Sequence, residues 1–238
     1  MRTPNLTPPN YVLFDSWTQE SSYILGLWYS DGGLELDRKP SGIYKIVGIY
    51  NTDYQLISDV HKVTGGNIIT KYPRNKNHKV YYNIRIYSDR LFDHLYALVG
   101  TNHKSQGNDF DISIIPDHCF NHFVRGLFDG DGSIYLKNYR NRHGKLTTEL
   151  GTSFTAGRLC ESFLVSLRTR LISILPLYNK KITGTISKKL VFSQYDSGIL
   201  CEWMYEDAII SMKRKKDVWD NVDKDRVRRS KIYQSHIP

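Results

Sequence analysis

The feature that most constrains this chain is a segment that occurs twice. SYILGLWYSDGGLEL starts at Ser22 and HFVRGLFDGDGSIYL starts at His122, an offset of 100 residues. Such internal similarity indicates two copies of one structural unit. We expect each copy to form a helix, the first ended by Gly32 and Gly33 and the second capped by Asp117. Apolar residues follow helical spacing in both copies: Ile24, Leu27 and Trp28, and then Phe120, Phe123, Val124, Leu127 and Phe128.

After each predicted helix the hydrophobic period changes to two. Alternation with apolar neighbours predicts a strand with one polar face, formed by Lys79, Tyr81, Asn83, Arg85 and Tyr87. Similar alternation recurs around 34–39, 134–139, 145–150 and 181–187. Helical patterns lie at about 52–64, 89–99, 158–175 and 197–209, and Thr52 and Gln55 fit a capping box at the start of the first of these. Each half therefore reads as helix, two strands, helix, two strands, helix, which is an α+β unit with antiparallel strands.

These patterns divide the chain into three parts. We expect an N-terminal unit over residues 1–110, a C-terminal unit over 111–225 and a basic tail over 226–238. From Lys213 to Lys231 there are nine Lys or Arg residues and four Asp residues, a net charge of +5. The end of the chain is therefore expected to contact a polyanionic backbone, without base specificity.

Composition narrows the classes of partner. The chain has 238 residues, 33 Lys and Arg against 24 Asp and Glu, and a formal net charge of +9, which favours a polyanion over an acidic small molecule. No apolar run approaches the roughly 18 residues that cross a bilayer, and no targeting signal is visible, so a soluble protein in the cytoplasm or an organelle is expected. Cys119, Cys160 and Cys201 form no paired pattern and are expected to be buried thiols.

Small residues stand four apart in each repeated segment. Gly26 and Ser30 occupy these positions in the first copy, and Gly126 and Gly130 occupy them in the second. If the two helices pack along these residues, their C-terminal ends converge and bring Asp31 beside Asp131. Two adjacent carboxylates are hard oxygen ligands suited to Mg²⁺, and Mn²⁺ or Ca²⁺ would also fit such a site. A shared metal site of this kind supports phosphodiester hydrolysis.

The two segments ILGLWYSDG (24–32) and VRGLFDGDG (124–132) resemble the paired signatures of the LAGLIDADG homing endonucleases. The resemblance covers nearly the whole chain and implies two pseudo-symmetric αββαββα units, each with a curved four-stranded antiparallel sheet placed in the DNA major groove. It also implies that Asp31 and Asp131 are the metal-binding and catalytic acids. An acid is usual two positions earlier, where the second copy has Asp129 and the first has Tyr29; we expect Asp129 to support the structure.

The same family places a lysine near each catalytic acid. By resemblance, Lys104 in the sequence HKS is the first candidate, and Lys215 within MKRKKDVW is the second. The neighbouring Lys213, Arg214 and Lys216 leave the second choice open. A lysine in this position orients or deprotonates the attacking water, or offsets negative charge on the phosphate.

Base recognition is expected from the polar strand faces and the hairpin that follows the second repeat. Arg and Lys pair with guanine, and Asn and Gln pair with adenine. The candidates are Lys39, Lys79, Tyr81, Asn83, Arg85, Tyr87, Lys137, Tyr139, Arg140, Arg142, Lys145, Thr147, Glu149, Lys181, Thr183 and Lys189.

These expectations combine into one function. The sequence predicts a monomeric, metal-dependent, site-specific endonuclease that needs no protein partner and cuts one phosphodiester in each strand of a long, asymmetric double-stranded DNA site. The alternatives on the same scaffold are an intron RNA maturase that does not cut DNA and a DNA-binding regulator. A general basic RNA-binding protein is a third alternative, and it predicts salt-sensitive affinity without cleavage.

Overall fold

A computed structural model describes residues 6–73, 75, 79–100, 110–140, 142–157 and 160–227. The N-terminal half contains α1 (Gln19–Asp31), β1 (Gly32–Lys39), β2 (Gly42–Asn51), α2 (Tyr54–Thr64), β3 (Asn67–Lys71), β4 (Tyr81–Tyr87) and α3 (Asp89–Val99). The C-terminal half contains α4 (Asp117–Asp131), β5 (Gly132–Arg140), β6 (Leu146–Gly157), α5 (Glu161–Ile174), β7 (Ile182–Thr183), β8 (Ser187–Ser193), α6 (Gln194–Tyr205) and α7 (Lys213–Asp220). The predicted order of elements is confirmed in both halves.

Each half carries one antiparallel sheet of four strands. The strand orders are β1-β2-β4-β3 and β5-β6-β8-β7, so the two sheets have the same topology. One face of the first sheet packs on the helices through Leu34, Val47 and Ile84, which belong to the buried core. We call the opposite face of each sheet the outer face. The fold is therefore α+β with two equivalent units, as predicted.

The two leading helices, α1 and α4, pack against each other and form the seam between the halves. A Cβ atom on Gly26 would overlap the carbonyl oxygen of Phe123, and one on Gly126 would overlap the carbonyl oxygen of Tyr23. Their reciprocal positions explain why the small residues recur at the same place in both copies, because any larger side chain would push the helices apart. The packing predicted from the small residues is confirmed.

Helix ends are where local prediction was least accurate. Helix α2 is capped by Asp53, whose side chain accepts a hydrogen bond from the Leu56 amide, so the capping box expected from Thr52 and Gln55 is wrong. Asp117 is the first residue of α4 and not its N-cap, which is Pro116. A short polar side chain caps a helix by accepting a hydrogen bond from the backbone amide two or three residues later. Asp53 stands three residues before Leu56 and therefore meets this requirement.

The remaining expectations concern the cysteines, membrane-spanning helices, the domain boundaries and the tail. The three cysteines are buried free thiols, as predicted. Among the described residues, no helix is both long and apolar enough to cross a bilayer. The domain boundaries near residues 110 and 225 remain a prediction, and the tail from residue 228 onward lies outside the described residues.

Candidate functional site

The candidate site lies where the seam helices end. An ideal Cβ atom on Gly130 would be 3.2 Å from the Asp31 carboxyl carbon, so this carboxylate lies against the residue that precedes Asp131. Asp31 ends α1 and Asp131 ends α4, and the first strand of each sheet begins at the next residue. The structure therefore brings Asp31 to the end of α4 that carries Asp131, as the repeat predicts.

A side chain that the sequence did not single out holds Asp31. The Asn51 amide nitrogen donates to the Asp31 carboxylate at 2.7 Å, and its oxygen accepts from the Asp53 backbone amide at 2.9 Å. These two bonds fix the orientation of the Asn51 amide. Asn51 was missed because it is 20 residues from Asp31 and is the last residue of β2. Its only signal in the sequence is a polar residue at the end of an apolar strand.

The other carboxylate has different surroundings. Asp131 lines a cavity of about 280 Å³, whose remaining walls are mainly apolar and include Tyr29 and Phe163. Gly32 pairs with Ile49 in one half and Gly132 pairs with Phe154 in the other. Ala156, two residues after Phe154, therefore matches Asn51, two residues after Ile49. Ala156 also lines the cavity, so no amide side chain comes from this position.

Lys215, one of the predicted catalytic lysines, is buried at 2% exposure. Its ammonium group donates to the carbonyl oxygens of Phe128, Asp129 and Gly132 at 2.5, 2.8 and 2.6 Å. Three donors thus meet three acceptors, and the positive charge lies at the C-terminal end of α4, where a helix carries partial negative charge. Burial lowers the pKa of Lys215 to about 8, and the carboxylates of Asp129, Asp31 and Asp131 oppose that shift.

Asp129 forms the connection between the seam and the segment that carries Lys215. It is fully buried, and one carboxylate oxygen accepts from the Tyr23 hydroxyl and from the Met212 amide, each at 2.8 Å. Burial raises the pKa of Asp129 to about 6, against the opposing effect of these bonds. Since Met212 precedes α7, this carboxylate ties the start of α7 to both seam helices. The supporting role expected for Asp129 agrees with these contacts.

The chemistry of the donors fits a divalent cation. Two carboxylates stand at the C-terminal ends of two helices, and both features place negative charge at the same point. No cluster of three or more His, Cys, Asp or Glu side chains with metal-binding geometry occurs among the described residues. Mg²⁺ commonly takes one or two carboxylates and completes its shell with water and phosphate oxygens, so two acids suffice for a metal that is bound together with a phosphodiester.

The predicted DNA-contacting residues of β1 and β4 lie on the expected face of the first sheet, but Asn83 is buried there and Lys79, predicted within the strand, precedes β4. Pairing of Tyr50 with Asn83 and of Gly48 with Arg85 places Asn83 and Arg85 on the outer face of the first sheet. Asn83, however, is only 4% exposed. Tyr50 and Ile69 flank Asn83 from the two adjacent strands. The alternation of residues thus predicted the correct face for Asn83, but the expectation that its side chain is accessible to a base was wrong. Lys39, Lys79 and Tyr81 are exposed, whereas Arg85 and Tyr87 are half-buried.

The second sheet presents most of its candidates in the same way. Lys137 pairs with Glu149, Tyr139 with Thr147, and Thr183 with Lys189, and all six are on one face of the sheet. Arg140 ends β5 on the opposite face and donates to the Gly144 carbonyl within the hairpin. Arg142 and Lys145 are exposed in the same hairpin, and Lys181 is exposed just before β7. Lys104 lies outside the described residues.

Comparison with known proteins adds to this geometry. No protein-family model and no curated protein matches the sequence. Among solved structures, the DNA-bound homing endonuclease I-LtrWI superposes with a TM-score of 0.58 at 11% identity, over 85% of this chain and 90% of that one. I-SmaMI bound to an uncleaved DNA target with calcium ions gives 0.58 at 13% identity, over 86% and 89%. I-AabMI bound to uncleaved DNA gives 0.53 at 14% identity, over 90% and 92%.

The chain therefore has the LAGLIDADG homing endonuclease fold. Within that class it has the single-chain form, in which two pseudo-symmetric units are joined in one polypeptide.

Proposed function

We propose that this chain is a site-specific, divalent-metal-dependent DNA endonuclease that hydrolyses one phosphodiester in each strand of a long, asymmetric site. The observation that carries the proposal is the meeting of Asp31 with the end of α4 at the foot of the seam. Each acid immediately precedes the first strand of a sheet whose outer face is polar. A duplex lying on both outer faces would then pass over the two acids. The DNA complexes of I-LtrWI and I-AabMI support duplex DNA as the partner.

Asp31 and Asp131 are the residues that would hold the metal. A divalent cation held by these two acids would supply Lewis-acid stabilisation of the phosphate and would lower the pKa of a bound water molecule. Asn51 keeps the Asp31 carboxylate in one orientation through its 2.7 Å bond. In our proposal Asp31 and Asp131 are shared between the two reactions, one on each strand, and the chain acts without a second protein.

The lysines would act on charge and on position. Lys215 stabilises the end of α4 through three carbonyls, so its first effect is to hold the turn that carries Asp131. Its positive charge also offsets the negative charge that the acids and the scissile phosphate bring together. For Lys104 the proposal rests on its place in the sequence HKS, near the end of the N-terminal half.

DNA recognition would divide between the sheets and the basic end of the chain. The exposed outer-face residues of both sheets read base edges, and the different hairpins of the two halves make the target asymmetric. The segment from Lys213 to Lys231, with its net charge of +5, contacts the phosphate backbone.

A cleavage selection tests this function. The purified chain is incubated with Mg²⁺ and a library of duplexes carrying randomised sites, and cut molecules are sequenced. The proposal expects one family of related sites with a cut on each strand, and no products when EDTA replaces Mg²⁺. Sequence-specific DNA binding without cutting would identify a regulator. Tight binding to structured RNA without DNA cleavage would identify a maturase, and salt-sensitive binding to any nucleic acid would identify a general binder.

A further inference from the structure

The outer face of the N-terminal sheet carries an acid that the proposed base-contacting set does not include. One oxygen of Glu35 lies 3.0 Å from the Nη2 atom of Arg85, and the other accepts from the Tyr50 hydroxyl. Glu35 is on β1, Tyr50 on β2 and Arg85 on β4, which are adjacent in the sheet. The three side chains therefore form one hydrogen-bonded unit across three strands.

Two glycines make this unit sterically feasible. Gly33 pairs with Gly48, and Gly48 pairs in turn with Arg85, so the row between β1 and β4 has no side chain on the outer face until Arg85. A Cβ atom on Gly48 would lie 2.9 Å from the Tyr50 ring carbon Cζ, which shows that the ring lies across Gly48. The open row lets the Arg85 guanidinium and the Tyr50 hydroxyl both reach Glu35.

Stability is a weak explanation for the unit. The Arg85 and Glu35 side chains are 20% and 36% exposed, and a partly exposed ion pair contributes little to stability. Orientation of the Arg85 guanidinium is a stronger explanation, because Glu35 restrains the guanidinium on one side and Tyr87 on the other. Its central carbon is also 5.7 Å from the centre of the Tyr87 ring. A guanidinium that is already held in one orientation loses less conformational entropy when it binds the edge of a base.

The charge of the unit points to recognition of a base. Glu35 neutralises Arg85, so the pair as a whole gains little from the phosphate backbone, whose attraction is electrostatic and independent of sequence. The guanidinium keeps further N–H donors beyond the one that Glu35 accepts from. Guanine presents two acceptors, O6 and N7, in the major groove, and a fixed arginine donates to both.

We propose that Glu35 is a specificity-determining residue, which holds Arg85 in the orientation that reads a guanine at one position of the target, while Tyr50 holds Glu35. This inference rests on the proposed function, because it assumes that the outer face lies in the major groove. The C-terminal half has no carboxylate at the equivalent position. Tyr135 occupies the position that Glu35 has in the first repeat, and its ring lies across Gly151. The guanine preference that depends on Glu35 and Arg85 should therefore belong to the half-site under the N-terminal sheet.

A binding selection tests the inference without cleavage. Duplexes with randomised sites are selected in Ca²⁺ by the wild-type chain, by Glu35→Gln, by Tyr50→Phe and by Asp93→Asn. Asp93 is the matched control, because it also pairs with a lysine, Lys45, but lies on α3 away from the outer face. Melting temperatures of all four proteins are measured, so that a variant that fails to fold is recognised.

The wild type and Asp93→Asn should select guanine at one position in the half-site bound by the N-terminal sheet. Glu35→Gln should reduce that preference roughly tenfold while preferences elsewhere persist, and Tyr50→Phe should reduce it less. Two results overturn the inference: an unchanged preference in folded Glu35→Gln, or uniformly tighter binding, which would make Glu35 a competitor for Arg85. If Glu35→Gln does not fold, Tyr50→Phe provides the test: a reduced guanine preference supports the inference, and an unchanged preference overturns it. Wild-type binding without any sequence preference would instead overturn the proposed function.

Discussion

The two seam helices, α1 and α4, are copies of one repeated segment. They carry identical residues only at certain equivalent positions. Gly26 matches Gly126, and Asp31 matches Asp131, at the contact between the helices and at their C-terminal ends. The position two residues before each acid differs, with Tyr29 in α1 and Asp129 in α4. The comparison teaches that the helix contact and the paired carboxylates need the same residue in both copies. The residues that pack behind each acid differ between the copies.

The supports differ in kind. Tyr29 packs among aromatic rings that are tilted against it, with its ring centre 5.5 Å from that of Phe110 and 4.6 Å from that of Phe163. Asp129 instead accepts two buried hydrogen bonds. Arg125, which matches Leu25, is fully buried and donates to the carbonyl oxygens of Ile210 and Met204, each at 2.9 Å. At positions 25 and 29 helix α1 thus has apolar and aromatic side chains, whereas at positions 125 and 129 helix α4 has buried charged side chains with hydrogen bonds.

The largest expected effect tests whether the two acids are equivalent. Asp31→Asn and Asp131→Asn should each reduce cleavage of both strands by more than about a hundredfold, because the proposal makes both carboxylates ligands of a shared metal site. DNA affinity measured in the presence of Ca²⁺ should change much less. Asp93→Asn serves as the control for loss of one surface charge. Retained cleavage in either variant would refute the shared site.

The next prediction tests the symmetry of the helix contact. Gly26→Ala and Gly126→Ala should each lower the free energy of unfolding by about 1 to 3 kcal/mol, because the added methyl group meets a backbone carbonyl that cannot move alone. Gly33→Ala is the control, since the nearest atom to its Cβ would be 4.0 Å away. Chemical denaturation measures all three. A much smaller effect at one of the two seam glycines would show that the helices do not meet symmetrically.

A third prediction concerns the amide present in one half only. Asn51→Ala should slow the cleavage of both strands roughly tenfold, because Asp31, which the proposal shares between the two reactions, loses the donor that orients it. Duplexes labelled on one strand at a time measure both rates, and Asp93→Asn is again the control. Slowing of one strand only would mean that Asp31 serves that strand alone, and unchanged rates would mean that the amide does not orient it.

The smallest effect concerns pH. Burial, with a further contribution from Arg125, lowers the pKa of His122 to about 4, and the Arg125 guanidinium nitrogen donates to its Nδ1 atom at 2.9 Å. The unfolded chain has the ordinary value near 6.5 and therefore binds this proton more tightly than the folded chain. The His122 contribution to stability should be complete above about pH 6.5 and should fall as the pH drops towards 4.

The matching residue of α1 is Ser22, which has no titratable side chain in this range. Denaturation of the wild type and of His122→Gln between pH 7 and pH 4 should show a steeper loss of stability in the wild type. Parallel curves for the two proteins would show that His122 is not held in its neutral form by the seam.

Much of the fold could be predicted from residue patterns because these patterns report on local geometry. The range 89–99 was predicted for a helix, and α3 spans Asp89–Val99, capped by Ser88. The pattern at 181–187 was less successful, because Gly184 adopts a φ of 100° and separates β7 from β8 where the alternation continues. Alternation describes which way side chains point, but it does not show where a backbone turns.

The geometry of the candidate site could be predicted only in part. The approach of Asp31 to the end of α4 that carries Asp131 followed from the repeat, because a repeated motif carries its own register. Asn51 was not found, because its bond to Asp31 depends on the pairing of β1 with β2. The burial of Asn83 and the link between Glu35 and Arg85 likewise depend on residues from three adjacent strands, which are not close in the sequence.

The amino-acid sequence by itself determined the two equivalent units, the helix contact at the glycines and the identity of the paired acids, because helical spacing and a repeat offset are properties of the chain alone. Only the tertiary structure decided that Lys215 is buried against three carbonyls of α4, that Asp129 holds Met212, and that Asp131 faces a cavity where Asp31 meets an amide. The physical reason is that burial and hydrogen-bond partners arise from segments that meet in space, so the same residue type acquires different partners and a different role in each setting.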